Sequence, residues 1–158
     1  MRRVVLIAAA VAIGVWLFRR ANSMTLANDK FAAWADAIQQ HEGWFPGSRS
    51  FRNNNPGNLK FSGQFGAVGA DANGFAIFPD YDTGREALIA DLRAKALKYP
   101  NWSILQIMTR YLGGNPNAPA VTSEGDPFAY ARAVANRLGA DISDTLRQIF
   151  MSDGGQNA

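Results

Sequence analysis

The residue best placed to do chemistry in this sequence is Glu42, near the end of a predicted helix. At about 100° per residue, Phe31, Trp34 and Ile38 fall on one apolar face of that helix, and Glu42 continues the same face. Burial and the negative end of the helix dipole both disfavour a charged carboxylate at this position. Such an acid could donate a proton to a reacting oxygen, whereas a purely structural glutamate would turn outward or pair with a nearby arginine.

A run of polar side chains follows at residues 52–59, with the sequence Arg-Asn-Asn-Asn-Pro-Gly-Asn-Leu. Each asparagine amide offers donors and an acceptor, which suit the hydroxyl and N-acetyl groups of a sugar chain. Asn54, Asn55 and Asn58 are therefore candidate substrate-binding residues. Because Asn, Pro and Gly also form turns, a structural role explains the run equally well.

Periodicity and capping residues predict a mostly helical domain around these side chains. The first helix covers residues 29–42, and Gly43 suits its C-terminal cap. Residues 46–82 are irregular, with candidate strands at 59–61, 66–68 and 75–78. Thr83 and Glu86 form a capping box that predicts a helix to about Lys98. Further helices are predicted at 103–112, at 127–139 and, capped by Asp141 or Ser143, up to Phe150. The expected fold class is α+β, with a small irregular β lobe after the first helix.

Composition excludes several kinds of site. The chain has no cysteine and one histidine, His41, which excludes disulfides, thiolate chemistry and a multi-histidine metal site. The net charge of +3 belongs to the N-terminus, where four arginines lie within the first 20 residues. The remaining chain carries twelve basic and thirteen acidic residues, so nucleic-acid binding is not supported. We expect no metal and no cofactor.

Residues 4–18 form an uncharged apolar segment between two pairs of arginines. As a helix it would span roughly 22 Å, short of the ~30 Å hydrocarbon core of a bilayer, although snorkelling arginines extend it. Arg19 and Arg20 make a poor cleavage region, so a transmembrane anchor is favoured over a cleaved signal peptide or a buried core helix. The expected organisation is an anchor or signal at 1–21, a linker at 22–28, a catalytic domain at 29–150 and a flexible tail at 151–158.

Several short motifs occur in an order that resembles a known family. They are Glu42-Gly43, the run at 52–59, the segments 74–78 and 84–88, the Tyr111 turn at 111–116, and the helix at 128–139. Together they resemble the lysozyme-like, lytic-transglycosylase-type domains of bacteriophages and bacteria, and they cover most of residues 29–150.

The resemblance implies a lysozyme-like fold and cleavage of the β-1,4 bond between N-acetylmuramic acid and N-acetylglucosamine in peptidoglycan glycan strands. Glu42 would be the catalytic acid, the Asn-Pro-Gly-Asn run would line the cleft, and Tyr111 would lie near the acid. Phe78 and Tyr81 are candidates to stack on sugar rings, although Phe78 is also a natural core residue.

The sequence departs from the two-carboxylate lysozyme pattern because no Asp or Glu lies between Glu42 and Asp71. Asp71, Asp80 and Asp82 are the candidates for a second acid. Because no second acid lies close to Glu42 in the sequence, lytic transglycosylation is favoured over a hydrolytic muramidase, with Glu42 acting as acid and then as base.

The expected function is a peptidoglycan-degrading enzyme held at a lipid bilayer by residues 4–18. It would face the periplasm and cell wall, or belong to a virion, and would open the wall locally when a phage enters or lyses a cell. The alternative is a non-catalytic virion or envelope protein that binds glycan or assembly partners.

Overall fold

The computed structural model describes residues 27–151. This part of the chain is α+β, about half helical, with a two-stranded antiparallel sheet, as the sequence predicted at the level of fold class. In chain order the elements are α1 (27–41), α2 (Arg49–Arg52), β1 (Gly69–Ala70), β2 (Ala76–Ile77), α3 (Tyr81–Lys98), α4 (Ile104–Tyr111), α5 (Pro127–Leu138) and α6 (Leu146–Phe150).

The apolar face predicted for α1 is buried in the helical part of the fold. Trp34 and Ile38 are fully buried, and Phe31 is nearly so. The ring of Phe150 in α6 stacks on Phe31, with 4.1 Å between ring centroids. The core of the helical part is completed by apolar side chains of α3, α4 and α5, which include Leu88, Leu92, Ile107, Met108, Tyr130 and Val134.

An ion-pair cluster ties α1 to two other helices. The carboxylate of Asp36 accepts from Arg85 of α3 at 2.7 Å and from Arg137 of α5 at 3.4 Å. The pKa of Arg85 is raised, chiefly by its hydrogen bond to Asp36. These contacts hold the C-terminal half of α1, which leads to Glu42, against α3 and α5.

The β lobe contains one two-stranded sheet. β1 pairs with β2 in the register Gly69 to Ile77 and Ala70 to Ala76. The strands expected at 59–61 and 66–68 are wrong, because Lys60 makes a single bridge to Phe75 and residues 64–67 form a turn. The expected strand at 75–78 is confirmed in part by β2.

Three local features differ from the sequence-based expectations. Helix α2 lies inside the segment expected to be irregular, and Ser48 caps it. Helix α3 begins at Tyr81 because Asp80 is its N-cap, with a side chain that accepts from the backbone amide of Thr83, and the expected capping box of Thr83 with Glu86 is not the cap. Helix α6 is capped by Thr145 in a capping box, instead of by Asp141 or Ser143.

Within residues 27–151, no helix is both long and apolar enough to cross a membrane. The anchor expected at residues 4–18 lies outside the described residues, as do most of the expected linker and tail.

Candidate active site

Glu42 follows directly after the last residue of α1. Its backbone N–H donates to the carbonyl of Ile38 at 2.8 Å, which continues the helical pattern for one more residue. Gly43 then adopts φ +70°, a left-handed conformation that ends the helix at low cost only for glycine. The side chain of Glu42 is partly buried, at the junction between α1, α5 and the loop before β1.

Each carboxylate oxygen of Glu42 accepts a hydrogen bond from a distant part of the chain. The Asn58 side-chain amide donates to Oε2 at 2.9 Å, and the Tyr130 hydroxyl donates to Oε1 at 3.1 Å. Among the ion pairs of the described residues, none includes Glu42, so it does not pair directly with Arg49 or Arg52. Two directed donors hold the carboxylate in one orientation.

Two tyrosines form the wall behind the carboxylate. Tyr130 is fully buried, its ring stacks on His41 with 3.7 Å between centroids, and the ring of Tyr111 meets it edge-on at 5.9 Å. The Tyr111 hydroxyl donates to the carbonyl of Gly57. Burial is the main cause that raises the pKa of both tyrosines far above 10.0, and the nearby Glu42 adds to it. Both side chains therefore remain neutral hydroxyl donors at any physiological pH.

Asn54 and Asn55, expected to bind substrate, use their amides within the protein. Asn54 donates to the carbonyl of Phe78 at 3.1 Å. Asn55 is fully buried, donates to the carbonyls of Leu59 and Ala76, and accepts from the amide of Leu59, each at 2.9 Å. These contacts join the loop to the β lobe and leave no free amide for a sugar on Asn55, so of the three asparagines only Asn58 reaches Glu42.

The two aromatic residues expected to stack on sugar rings are also engaged elsewhere. Phe78 is 1% exposed and belongs to the core, so its ring has no open face. Tyr81 is partly buried, donates its hydroxyl proton to Gln39 Oε1 at 2.7 Å, and lies 5.0 Å from the ring of Trp44. The ring of Phe78 is therefore not available to stack on a sugar, and the hydroxyl of Tyr81 is bound to Gln39 of α1.

A groove of about 1000 Å³ runs between the segment 58–65 and helix α3. Asn58 and Tyr111 line one end, which brings the groove within one hydrogen bond of Glu42, although Glu42 itself does not line it. Phe65 lies on its rim and is 99% exposed. The charged side chains on its walls are Lys60, Glu86, Asp91, Arg93, Lys95 and Arg110.

The aspartates considered as a second acid have other roles. Asp71 accepts from the amides of Asn73 and Phe75 at 2.9 Å and from Asn53 at 2.8 Å, and its pKa is lowered, first by the Phe75 amide. Asp80 caps α3, and the Thr83 amide lowers its pKa. Asp82 is exposed in the first turn of α3. Within residues 27–151, no hydrogen bond joins any of the three aspartates to Glu42.

Sequence reasoning assigned no role to Tyr130, and it considered Arg49 as an arginine that could pair with Glu42 and not as a partner of Asn58. Tyr130 lies on the buried face of α5, where a tyrosine hydroxyl requires a hydrogen-bond partner, and that requirement was the available signal. Arg49 carried no such signal, because its contact with Asn58 depends on the folding of the loop. Comparisons with known proteins found no matching family model, and no curated protein or solved structure that matches this chain. The case for a function therefore comes from the residues themselves.

Proposed function

We propose that this protein is a lytic transglycosylase with a lysozyme-like fold that cleaves the β-1,4 bond between N-acetylmuramic acid and N-acetylglucosamine in peptidoglycan. The observation that carries the proposal is the setting of Glu42. It is a partly buried carboxylate at a helix end, held through both oxygens by Asn58 and Tyr130, beside a groove large enough for a glycan segment.

Glu42 would act twice in the reaction. Protonated Glu42 donates its proton to the glycosidic oxygen as the C1–O bond breaks, and the leaving sugar departs with a new hydroxyl group. The Glu42 carboxylate then takes the proton from the 6-hydroxyl of the muramic acid residue, whose oxygen closes on C1 to form a 1,6-anhydro ring. The proton returns to Glu42, so no water, metal or cofactor is consumed.

The surroundings of Glu42 favour this chemistry over hydrolysis. A two-carboxylate glycosidase places its second carboxylate about 5–9.5 Å from the first. Asp71 accepts backbone amides of its own turn, and Asp80 caps α3. Asp91 on the groove wall is paired with Lys95. Glu86 is exposed on the groove wall and is the carboxylate that a test must exclude.

The location of the activity is proposed from the sequence alone. The apolar segment at residues 4–18 would hold the domain at a bilayer, facing the periplasm and cell wall or within a virion. This placement would suit local opening of the wall and contact with envelope or virion assembly partners.

The first prediction concerns Glu42→Gln in the full-length chain, kept in detergent and assayed on purified peptidoglycan. We expect turnover to fall by about a hundredfold or more, because general acid–base catalysis typically supplies 10²–10⁴-fold. Glutamine still accepts from Asn58 or Tyr130, so the fold should be kept. Mass spectrometry of the wild-type products should show 1,6-anhydro ends.

Glu86→Gln is the matched control, since it removes another carboxylate of the groove. Wild-type turnover by Glu86→Gln supports the single-carboxylate chemistry. Loss of activity in both variants, together with reducing ends in the products, would indicate a muramidase instead. Glycan binding without cleavage by the wild type would assign the non-catalytic alternative.

A further inference from the structure

We propose that Arg49 is a positioning residue that orients the Asn58 amide toward Glu42, an inference that rests on the proposed role of Glu42. Arg49 Nε donates to Asn58 Oδ1 at 3.2 Å, and Asn58 Nδ2 donates to Glu42 Oε2 at 2.9 Å. The three side chains form a relay in which Arg49 contacts neither the acid nor, in this scheme, the substrate.

The relay has one direction because of the chemistry of its first member. A guanidinium group carries only donors, so the atom of Asn58 that faces Arg49 must be the amide oxygen. The amide nitrogen of Asn58 therefore faces Glu42. If Arg49 were absent, the amide could turn over and present its oxygen to the carboxylate, which would remove a donor and add a repulsion.

The position of Arg49 depends on the β lobe. Its guanidinium carbon lies 3.5 Å from the centroid of the Phe75 ring, and the Lys60 ammonium lies 3.5 Å from the same centroid. Lys60 and Phe75 pair in an isolated β-bridge. A planar guanidinium that stacks on an aromatic ring is less free to move than one surrounded by solvent. Phe75 of the β lobe therefore fixes the position of the Arg49 side chain.

The relay also distinguishes the two oxygens of Glu42. Asn58 can only donate to Oε2, so Oε2 is an acceptor whether Glu42 is charged or protonated. The Tyr130 hydroxyl at Oε1 can rotate, since a hydroxyl both donates and accepts. The proton that Glu42 gives and takes is therefore assigned to Oε1.

Other charged and titratable groups around the acid are few. Arg49 acts through Asn58, while Tyr130 and Tyr111 are neutral hydroxyls on the α5 and α4 sides. His41 stacks on Tyr130 from α1, and Asp91 of α3 acts on Tyr111. A change confined to Arg49 leaves all of these groups in place.

The second prediction compares Arg49→Gln with Arg52→Gln in the full-length chain in detergent. Both remove one positive charge from α2, but Arg52 donates to the carbonyl of Gly47 instead of to Asn58. We expect Arg49→Gln to lower kcat about tenfold with little change in KM, the size expected when one hydrogen bond to a charged group is lost. Arg52→Gln should match the wild type.

A double-mutant cycle with Asn58→Gly tests whether Arg49 acts through Asn58. Asn58 has φ +46°, a conformation that glycine adopts without strain, so the loop should keep its path. In the Asn58→Gly background, Arg49→Gln should cause no further loss of kcat. Equal effects of Arg49→Gln and Arg52→Gln, or an undiminished effect of Arg49→Gln in the Asn58→Gly background, would overturn the relay.

A spectroscopic measurement separates failure of the relay from failure of the proposed function. The side-chain amide resonances of Asn58 should shift when Glu42 is replaced by Gln, both in the wild type and in the Arg52→Gln background, and should lose that response in the Arg49→Gln background. An unaltered response in Arg49→Gln overturns the relay while leaving the function intact. If the wild type and Glu42→Gln cleave peptidoglycan equally, the proposed function fails, and the amide resonances of Asn58 still decide the relay.

Discussion

At the residue scale, the chemistry of Glu42 depends on partners that are far away in the sequence. Tyr130 is 88 residues from Glu42 and Asn58 is 16 residues away, and each serves one oxygen. A carboxylate that must act as both acid and base needs at least one partner that tolerates either state. The hydroxyl of Tyr130 meets that need, because it can rotate between donating and accepting.

The third prediction is that Tyr130→Phe lowers kcat about tenfold while the domain stays folded. Phenylalanine fills nearly the same buried volume, but Oε1 of Glu42 loses its donor, which for a charged group is worth about 1.5–3 kcal/mol. Steady-state kinetics on peptidoglycan would measure the change. Tyr99→Phe, which alters a tyrosine stacked on Trp102 outside the site, is the control. Wild-type kcat in Tyr130→Phe would remove Tyr130 from the active site.

At the scale of elements, the asparagine loop is held by the close approach of α3. A Cβ atom at Gly84 would lie 1.8 Å from the carbonyl oxygen of Asn54, so only glycine lets the helix and the loop come this near. The side-chain amide of Asn54 donates to the backbone carbonyl of Phe78. The side-chain amide of Asn55 donates to the carbonyls of Ala76 and Leu59, so both asparagines connect the loop to the chain around β2. This arrangement presents Asn58 to Glu42.

The fourth prediction is that Gly84→Ala destabilises the protein by about 1–3 kcal/mol, the usual cost of overpacking. The sign is informative, because Gly→Ala inside a helix normally stabilises by about 0.5–1 kcal/mol. Urea unfolding followed by circular dichroism would measure it. Glu86→Ala, an exposed change in the same helix, should stay within about 0.5 kcal/mol of the wild type. A stabilised Gly84→Ala would mean that α3 and the loop are not in close contact.

At the scale of the whole molecule, the site lies where the helical part meets the β lobe. Asp36 connects α1 to α3 and α5, and Phe150 of α6 packs on α1. Tyr111 of α4 and Tyr130 of α5 meet beside the acid, where Tyr130 is fully buried and Tyr111 is partly buried at the groove. Residues that serve the site are thus also residues that hold the helices together.

The fifth prediction is a loss of stability at alkaline pH. Burial raises the pKa of Tyr111 and Tyr130 in the folded state above their ordinary value of 10.0. Their stabilising contribution is therefore complete below about pH 10 and declines above it, by about 1.4 kcal/mol per pH unit for each tyrosine. Urea unfolding between about pH 7 and pH 11.5 would measure the slope. Tyr111→Phe should flatten the decline relative to its own stability at neutral pH, and an unchanged slope would contradict the prediction.

Local sequence patterns were sufficient to predict the four longer helices and to single out Glu42 as the candidate acid. The apolar residues of α1 recur with the helical period and are buried in the fold as Phe31, Trp34 and Ile38. Glu42 follows on the same face. Asp126 and Pro127 begin α5, and Gly139 ends it with φ +63°, as their local conformational preferences require. Such features depend on neighbouring residues, so local rules were sufficient for them.

Only the tertiary structure decided which polar side chains belong to the site. An asparagine amide suits a sugar and a backbone carbonyl equally well, and the packing of the loop gave Asn55 to the backbone and Asn58 to Glu42. Asp80 and Thr83 are both residue types that cap helices, and in the structure Asp80 is the N-cap of α3. Tyr130 belongs to the site through its hydrogen bond to Glu42, and Arg49 through its hydrogen bond to Asn58. Both contacts join separate parts of the fold, so no local sequence pattern predicts them. Whether a polar group serves chemistry or structure depends on the partner it meets, and folding decides that partner.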